Sequence, residues 1–288
     1  MSSPEITRAA VIGAGTMGAG IAQVFAGAGV AVTLVDVREE SLAKGVAGVA
    51  AGLARLVAKG KIEQPTVDAL LARISTSTDL AASARDADLA IEAVFENLEV
   101  KSSLIRQLDA ALPGSAIIAT NTSSISVTRL CAVAANPARV VGLHFFNPAP
   151  VMPLVEVVRG LQTDDATVAA VTALARRCGK TPVEAQDSPG FVGNRILLPM
   201  INEAIGVLAE GVASKEAIDE VMKLGMGHPM GPLALGDLIG LDVCLDILEV
   251  LHREIGDDRY RPAPLLRKMV AAGHLGRKSG RGFYEYGK

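Results

Sequence analysis

A short apolar run, Ala9 to Ile12, passes directly into Gly13-Ala14-Gly15-Thr16-Met17-Gly18 and then into Ala19 to Ala28 at helical spacing. Strand, glycine turn and helix in that order are what a dinucleotide-binding fold requires. Gly13 permits the tight turn, Gly15 lets the backbone approach a pyrophosphate, and Gly18 lets the helix pack closely on the strand. The first helical turn, with Thr16 and Met17, offers its amides to the phosphates. In a chain with 29 glycines the spacing alone says little. The continuation narrows it. Ala31 to Val35 reads as a second buried strand and ends in Asp36, 18 residues beyond Gly18. An acid at that point hydrogen-bonds both hydroxyls of an adenosine ribose and repels a 2′-phosphate, which favours NAD over NADP. Asp36 is equally able to cap the following helix. Arg38, close behind it, is the one neighbour that would favour a 2′-phosphate.

The next segment, Glu39 to Lys59, is a long amphipathic helix, and Pro65 to Ala72 a second helix antiparallel to it. The pair is long for a crossover and reads as a helical excursion from the sheet. Arg55, Lys59 and Lys61 stand at its basic end. Cations there suit the helix macrodipole and solvent, and they would also suit a polyanionic ligand. Strands follow at Ile74 to Thr76, Leu89 to Val94 and Ala116 to Thr120, with a helix from Leu98 to Ala111. Ligands of such folds lie at the carboxyl ends of the strands, so Glu92, Glu96 and Lys101 belong near the crevice. Lys101 is otherwise an ordinary exposed helix residue. In Asn121-Thr122-Ser123-Ser124, one serine must cap the helix starting at Ile125. The other hydroxyl, with Asn121 and Thr122, is left to face the crevice.

Val140 to Val158 consists of two β-branched runs joined by a turn rich in Phe, Asn and Pro. Pro148, Pro150 and Pro153 interrupt pairing, so the chain reverses there. A reversal centred on Pro150 sets His144 opposite Glu156. That arrangement fixes the tautomer of an imidazole and stabilises its protonated form, or simply satisfies a buried histidine. A helix from Asp164 to Cys178 and a strand from Thr181 to Ala185 complete the α/β part. After Asp187-Ser188-Pro189-Gly190 the strand signals stop, and helices run over Val192 to Glu210, Lys215 to Lys223, Pro232 to Glu254 and Pro264 to Ala272. The expected organisation is a Rossmann-type domain over 1–187 and an all-α domain over 188–288. Asn194 sits early in the first of these helices, behind Gly190 and Gly193. The basic, Gly-rich tail from Gly276 is either a surface loop or a cover for an anionic ligand.

The formal charge of −3 gives no general attraction to nucleic acid or anionic membrane. Cys131, Cys178 and Cys244 are odd in number and far apart, which fits reduced core thiols rather than disulfides or a metal site. The N-terminal MSSPEITR lacks a signal peptide's features, and Gly, Lys and Asp break every run that could span a membrane. These features describe a soluble cytoplasmic protein.

The blocks VIGAGTMGAGIAQVFA, AVFENLEVK, ATNTSSIS, HFFNPAPVMPLVEVV, DSPGFVGNRIL and GRKSGRGFYEY together resemble the 3-hydroxyacyl-CoA dehydrogenase family over essentially the whole chain. The likeness is greatest to its short, single-function bacterial members. The resemblance implies an NAD-dependent enzyme interconverting (S)-3-hydroxyacyl-CoA, such as 3-hydroxybutyryl-CoA, and 3-oxoacyl-CoA, with a C-terminal domain that dimerises. It implies that His144 is the catalytic base and Glu156 its orienting partner, with Ser123 and Asn194 at the reacting oxygens. It further implies Asp36, Glu96, Lys101, Asn147 and Lys278 as contacts to NAD. Arg55, Lys59 and Lys61 become candidates for the CoA phosphates. His228, His252 and His274 stay structural or surface residues. Rival readings are a dehydrogenase of free hydroxy acids on the same scaffold and a dinucleotide sensor without turnover.

Overall fold

Ala9, Ala10, Val11 and Ile12, at consecutive positions of β1 (Arg8–Ile12), are buried on both faces, as central strands of a helix-covered parallel sheet are. In chain order there follow α1 (Thr16–Gly27), β2 (Ala31–Val35), α2 (Glu39–Ala58), α3 (Gln64–Leu71), β3 (Ile74–Ser77), α4 (Leu80–Ala84), β4 (Leu89–Glu92) and α5 (Leu98–Ala111). Next come β5 (Ile117–Thr120), α6 (Val127–Cys131), β6 (Val140–Phe145), β7 (Leu154–Arg159), α7 (Asp165–Arg177) and β8 (Thr181–Gln186). The computed structural model describes residues 5–287. Met1 to Pro4, part of the stretch read above for a signal sequence, lie outside the described residues.

The strands form one eight-stranded sheet in the order β3-β2-β1-β4-β5-β6-β7-β8. Every neighbouring pair is parallel except β6 and β7, which run antiparallel. Strand order reverses between β1 and β4, the point where such sheets open a ligand crevice at their carboxyl ends. The α2–α3 pair connects β2 to the edge strand β3, and both helices pack on α1. It is therefore the crossover itself, lengthened. By length and composition α2 could cross a membrane, contrary to the expectation that Gly and Lys interrupt every such run. Its charges gather near the ends, leaving Ala, Gly, Val and Leu between. Here Leu42, Gly45, Val49 and Leu53 are its buried side.

The chain divides into two compact units, Met1–Asp187 and Ser188–Lys288. The second contains α8 (Gly193–Ala209), α9 (Lys215–Met226), α10 (Pro232–Ile239), α11 (Leu241–Ile255) and α12 (Pro264–Ala271) around buried Leu198, Ile201, Leu233, Leu248, Leu251 and Leu266. The single helix expected over Pro232 to Glu254 is two, broken at Gly240, whose amide closes α10 on Gly236. The C-terminal tail is fastened by a buried carboxylate. Asp237 accepts from the amides of Phe283 and Tyr284, each at 2.9 Å, and from the Tyr286 hydroxyl at 3.0 Å. Burial pushes the Cys131 thiol up to about 11, so it remains protonated.

Candidate active site

The glycine turn after β1 is held from two sides. Gly13, with φ +101°, donates its amide to the Val35 carbonyl at 2.7 Å, and Asp36 Oδ2 accepts from the Ala14 amide at 2.9 Å. Asp36 Oδ1 accepts from the Arg38 amide at 3.1 Å, so the carboxylate orders both the turn and its own strand end. The helix α1 starts at Thr16 with no acidic residue in its first turn, leaving the positive end of its dipole toward the turn. A cavity of about 840 Å³ opens here, bordered by Gly13, Gly15, Thr16, Asp36, Val94 and Asn147 among others. Nothing stands within 4 Å of where a Gly15 side chain would begin, so a diphosphate can lie against bare backbone. The residues present fit a dinucleotide in size, in anion-binding amides and in a ribose-binding acid.

Met17 and Gly18 do not border the cavity. Met17 packs on the core. A side chain at Gly18 would begin 1.7 Å from the Gly13 carbonyl oxygen, so this glycine sets how closely α1 approaches the turn. Gly18→Ala is expected to cost about 1–3 kcal/mol of stability, as overpacking does, and to weaken NADH binding. Thermal unfolding and a fluorescence titration check both. Unchanged values would mean that the turn has slack.

The register of the β6–β7 ladder sets His144 directly opposite Glu156, as the sequence suggests. His144 Nδ1 stands 2.8 Å from Glu156 Oε2, and the two residues are 7% and 2% exposed. The Phe146 ring lies 4.7 Å from the imidazole, centroid to centroid. A carboxylate at Nδ1 favours the tautomer with its proton on that nitrogen, and burial strengthens the pair's electrostatic coupling.

The connection 146–153 returns over α1, where Ala149 and Pro150 come within 3.2–3.3 Å of where a Gly20 side chain would begin. Lys180, unremarked in the sequence, anchors this connection by donating to the carbonyls of Ala149 at 2.7 Å and Met152 at 2.8 Å. Its signal was a lysine at the end of an apolar helix, just before β8.

The loop after β5 differs from expectation. Neither Ser123 nor Ser124 caps the helix; α6 starts at Val127 and Ser126 caps it, its Oγ accepting from the Arg129 amide at 3.2 Å. Asn121 and Thr122 do not simply face the crevice. Asn121 Oδ1 accepts from the Phe145 amide at 2.8 Å, tying this loop to the strand that carries His144. Thr122 donates its hydroxyl to Glu96 at 2.5 Å and accepts from the Ile125 amide at 3.0 Å.

Lys101 is 1% exposed rather than a surface residue, with its ammonium 2.7 Å from Glu92 Oε2 and 3.2 Å from Glu96 Oε2. Burial alone would raise the Glu96 carboxyl. The Lys101 charge, the Thr122 hydroxyl and the Ser123 amide outweigh it and hold Glu96 below the usual carboxylate range. Of the cations proposed for a polyanion, Arg55 borders the cavity and Lys59 and Lys61 do not. Lys278 and Asn194 belong to the second unit. Lys278 pairs there with Asp242 at 2.5 Å, and Asn194 lies in the first turn of α8.

Comparison with known proteins gives concordant matches over both units. Residues 8–188 match the family described as 3-hydroxyacyl-CoA dehydrogenase, NAD binding domain, and residues 190–286 the corresponding C-terminal domain. The chain is 55% identical to a probable 3-hydroxybutyryl-CoA dehydrogenase of Bacillus subtilis, covering 98% of each protein. It is 50% identical to the 3-hydroxybutyryl-CoA dehydrogenase of Clostridioides difficile over 97% of this chain and 99% of that one. The crystal structure of (S)-3-hydroxybutyryl-CoA dehydrogenase PaaH1 from Ralstonia eutropha superposes with a TM-score of 0.95, at 53% identity, over 99% of this chain and 100% of that one.

Proposed function

The chain belongs to the 3-hydroxyacyl-CoA dehydrogenase family, and on that premise we propose how its own residues carry out the reaction. It is an NAD-dependent enzyme that interconverts (S)-3-hydroxyacyl-CoA and 3-oxoacyl-CoA, with 3-hydroxybutyryl-CoA and acetoacetyl-CoA as the pair. NAD, when bound, supplies the hydride chemistry at C3. Gly13, Gly15, Thr16 and Asp36 would hold its pyrophosphate and adenosine ribose, with Gly18 bringing α1 close to the turn and Met17 packed on the core behind it, and Asn147 and Glu96 would hold its far end.

The protein's part is proton transfer and electrostatics. In oxidation the neutral His144 imidazole takes the proton of the 3-hydroxyl on Nε2. Ionised Glu156, on Nδ1, stabilises the imidazolium that forms. In reduction the imidazolium returns the proton to the developing alkoxide. Ser123 and Asn194 hydrogen-bond that oxygen or the thioester carbonyl. The observation that carries this reading is the buried 2.8 Å contact between His144 and Glu156 at the carboxyl-end region of the sheet. Arg55, Lys59 and Lys61 are proposed for the CoA phosphates, and Lys278 for a further cofactor contact. Exposed Ile196, Val212, Val221 and Leu224 of the helical unit support a homodimer interface.

The test is NADH consumption with acetoacetyl-CoA, beside free acetoacetate and beside NADPH. Turnover is expected for the thioester with NADH. Equal turnover of free acetoacetate would remove the CoA requirement. For Asp36→Ala, the preference for NADH over NADPH is expected to fall roughly 10- to 100-fold, since hydrogen bonds to a charged group are worth about 1.5–3 kcal/mol. An unchanged ratio of kcat/KM values for the two cofactors would place the discrimination elsewhere.

A further inference from the structure

The connection from β6 to β7 is short of hydrogen-bond donors. Pro148, Pro150 and Pro153 have no backbone N–H, so over residues 148–153 the carbonyls outnumber the amides two to one. The amides of Val151 and Met152 both turn to the Pro148 carbonyl, at 2.9 and 3.0 Å. Three other carbonyls are met from outside the connection. Lys180 Nζ donates to Ala149 at 2.7 Å and to Met152 at 2.8 Å, and the Thr181 amide donates to Pro153 at 2.8 Å.

Lys180 reaches this place because α7 ends in a glycine cap. Gly179, with φ +70°, donates its amide to the Arg176 carbonyl at 2.9 Å, and the Lys180 amide donates to Ala175 at 3.0 Å. That pairing turns the chain back across the helix end. The lysine is then 9% exposed. Among the described residues no carboxylate pairs with it, and burial holds its ammonium below the usual lysine range. A buried amine without a counter-charge is costly unless its donors are placed. Both of these go to a single connection, and that connection is a wall of the dinucleotide cavity, which Asn147, Pro148, Ala149 and Pro150 border. Ala149 and Pro150 also lie against α1 at Gly20, so the wall is held between α1 and Lys180.

We propose that Lys180 is a positioning residue for the cofactor: it fixes the connection after β6 so that Asn147 meets the dinucleotide. This inference rests on the reading of Asn147 as a cofactor contact. Lys180 does not itself border the cavity, so it acts through the backbone it holds. The pairing of His144 with Glu156 does not depend on it, because the β6–β7 ladder from Gly142 opposite Val158 to Phe145 opposite Val155 sets that register.

The experiment is a double-mutant cycle on NADH dissociation, read by fluorescence titration of wild type, Lys180→Met, Asn147→Ala and the combination. Methionine keeps most of the apolar stem and removes both donors. Lys180→Met is expected to raise Kd roughly 3- to 10-fold, the worth of one hydrogen bond held out of place. In the Asn147→Ala background the same substitution should change Kd by less than about twofold, because the contact it positions is already gone. A structural lysine would not produce that coupling. Lower thermal stability with Kd unchanged would overturn the proposal. An effect of equal size in both backgrounds would overturn it too, since Lys180 would then act on the cavity by another route. Asn147→Ala binding NADH as wild type does would instead remove the contact itself, and the proposal would fall with that reading. If Lys180→Met does not fold, Lys180→Gln, with a neutral amide in place of the amine, is read in the same cycle. An unchanged Kd there counts against the proposal.

Discussion

Replacing His144 by alanine is expected to lower kcat by roughly 10²–10⁴, the usual contribution of a positioned general acid–base group, while NADH remains bound. The separation follows from topology. The dinucleotide cavity is bordered by the turn after β1, by Asp36 after β2, by the loop after β4 and by Asn147 to Pro150 after β6, but not by His144 itself. His144 lies on β6, two strands beyond β4. Its loss leaves Glu156 buried opposite a small side chain, so some stability should go with it. Thermal unfolding and NADH titration on the same sample separate a damaged fold from a missing proton acceptor. Turnover within a fewfold of wild type, with the fold intact, would remove His144 from the chemistry.

Glu156→Gln is expected to cost somewhat less, on the order of 10²–10³ in kcat. An amide keeps the shape and can still accept from Nδ1, so neutral His144 is held almost as before. What disappears is the charge that stabilises imidazolium. At an effective dielectric near 20, unit charges about 4 Å apart interact by about 4 kcal/mol, and each ~1.4 kcal/mol of barrier is a factor of ten. Part of that is returned by reorganisation around the amide. The fold should survive, because a buried carboxylate is exchanged for a neutral group of equal size beside a histidine that can stay neutral. Steady-state rates with acetoacetyl-CoA check the estimate. A near-normal kcat would reduce Glu156 to an orienting acceptor.

The parts of this site that could be read from sequence are those set by local spacing. The glycine turn and Asp36 follow from strand and helix periods. The meeting of His144 and Glu156 follows from a reversal whose centre is marked by prolines, because a strand register is fixed once its turn is. The change of character after Pro189-Gly190 is visible as the loss of strand patterns. What stayed hidden depends on burial decided by distant elements. Lys101 looks like any helix lysine, and only the packing of α5 against β4 shows that it is sealed against Glu92. The glutamate within Leu89-Ala90-Ile91-Glu92 was the available clue, since a charge ending an apolar parallel strand demands a partner. Ser123 and Ser124 satisfy the capping rule in sequence as well as Ser126 does, and it is a tertiary contact that commits Ser124 to Glu96 and leaves the cap to Ser126. Gly240 breaks a continuous helical pattern, and α4, a single short turn, had no pattern long enough to register.

The most direct test of the account is a double-mutant cycle on kcat with acetoacetyl-CoA and NADH, using His144→Ala, Glu156→Gln and the combination. If Glu156 acts only by stabilising the imidazolium, it has nothing to act on once the imidazole is gone. The double variant should then turn over at the rate of His144→Ala alone, within about twofold, as residues acting as one unit do. Multiplication of the two losses in the double variant would contradict the pair and give Glu156 an independent part in the reaction.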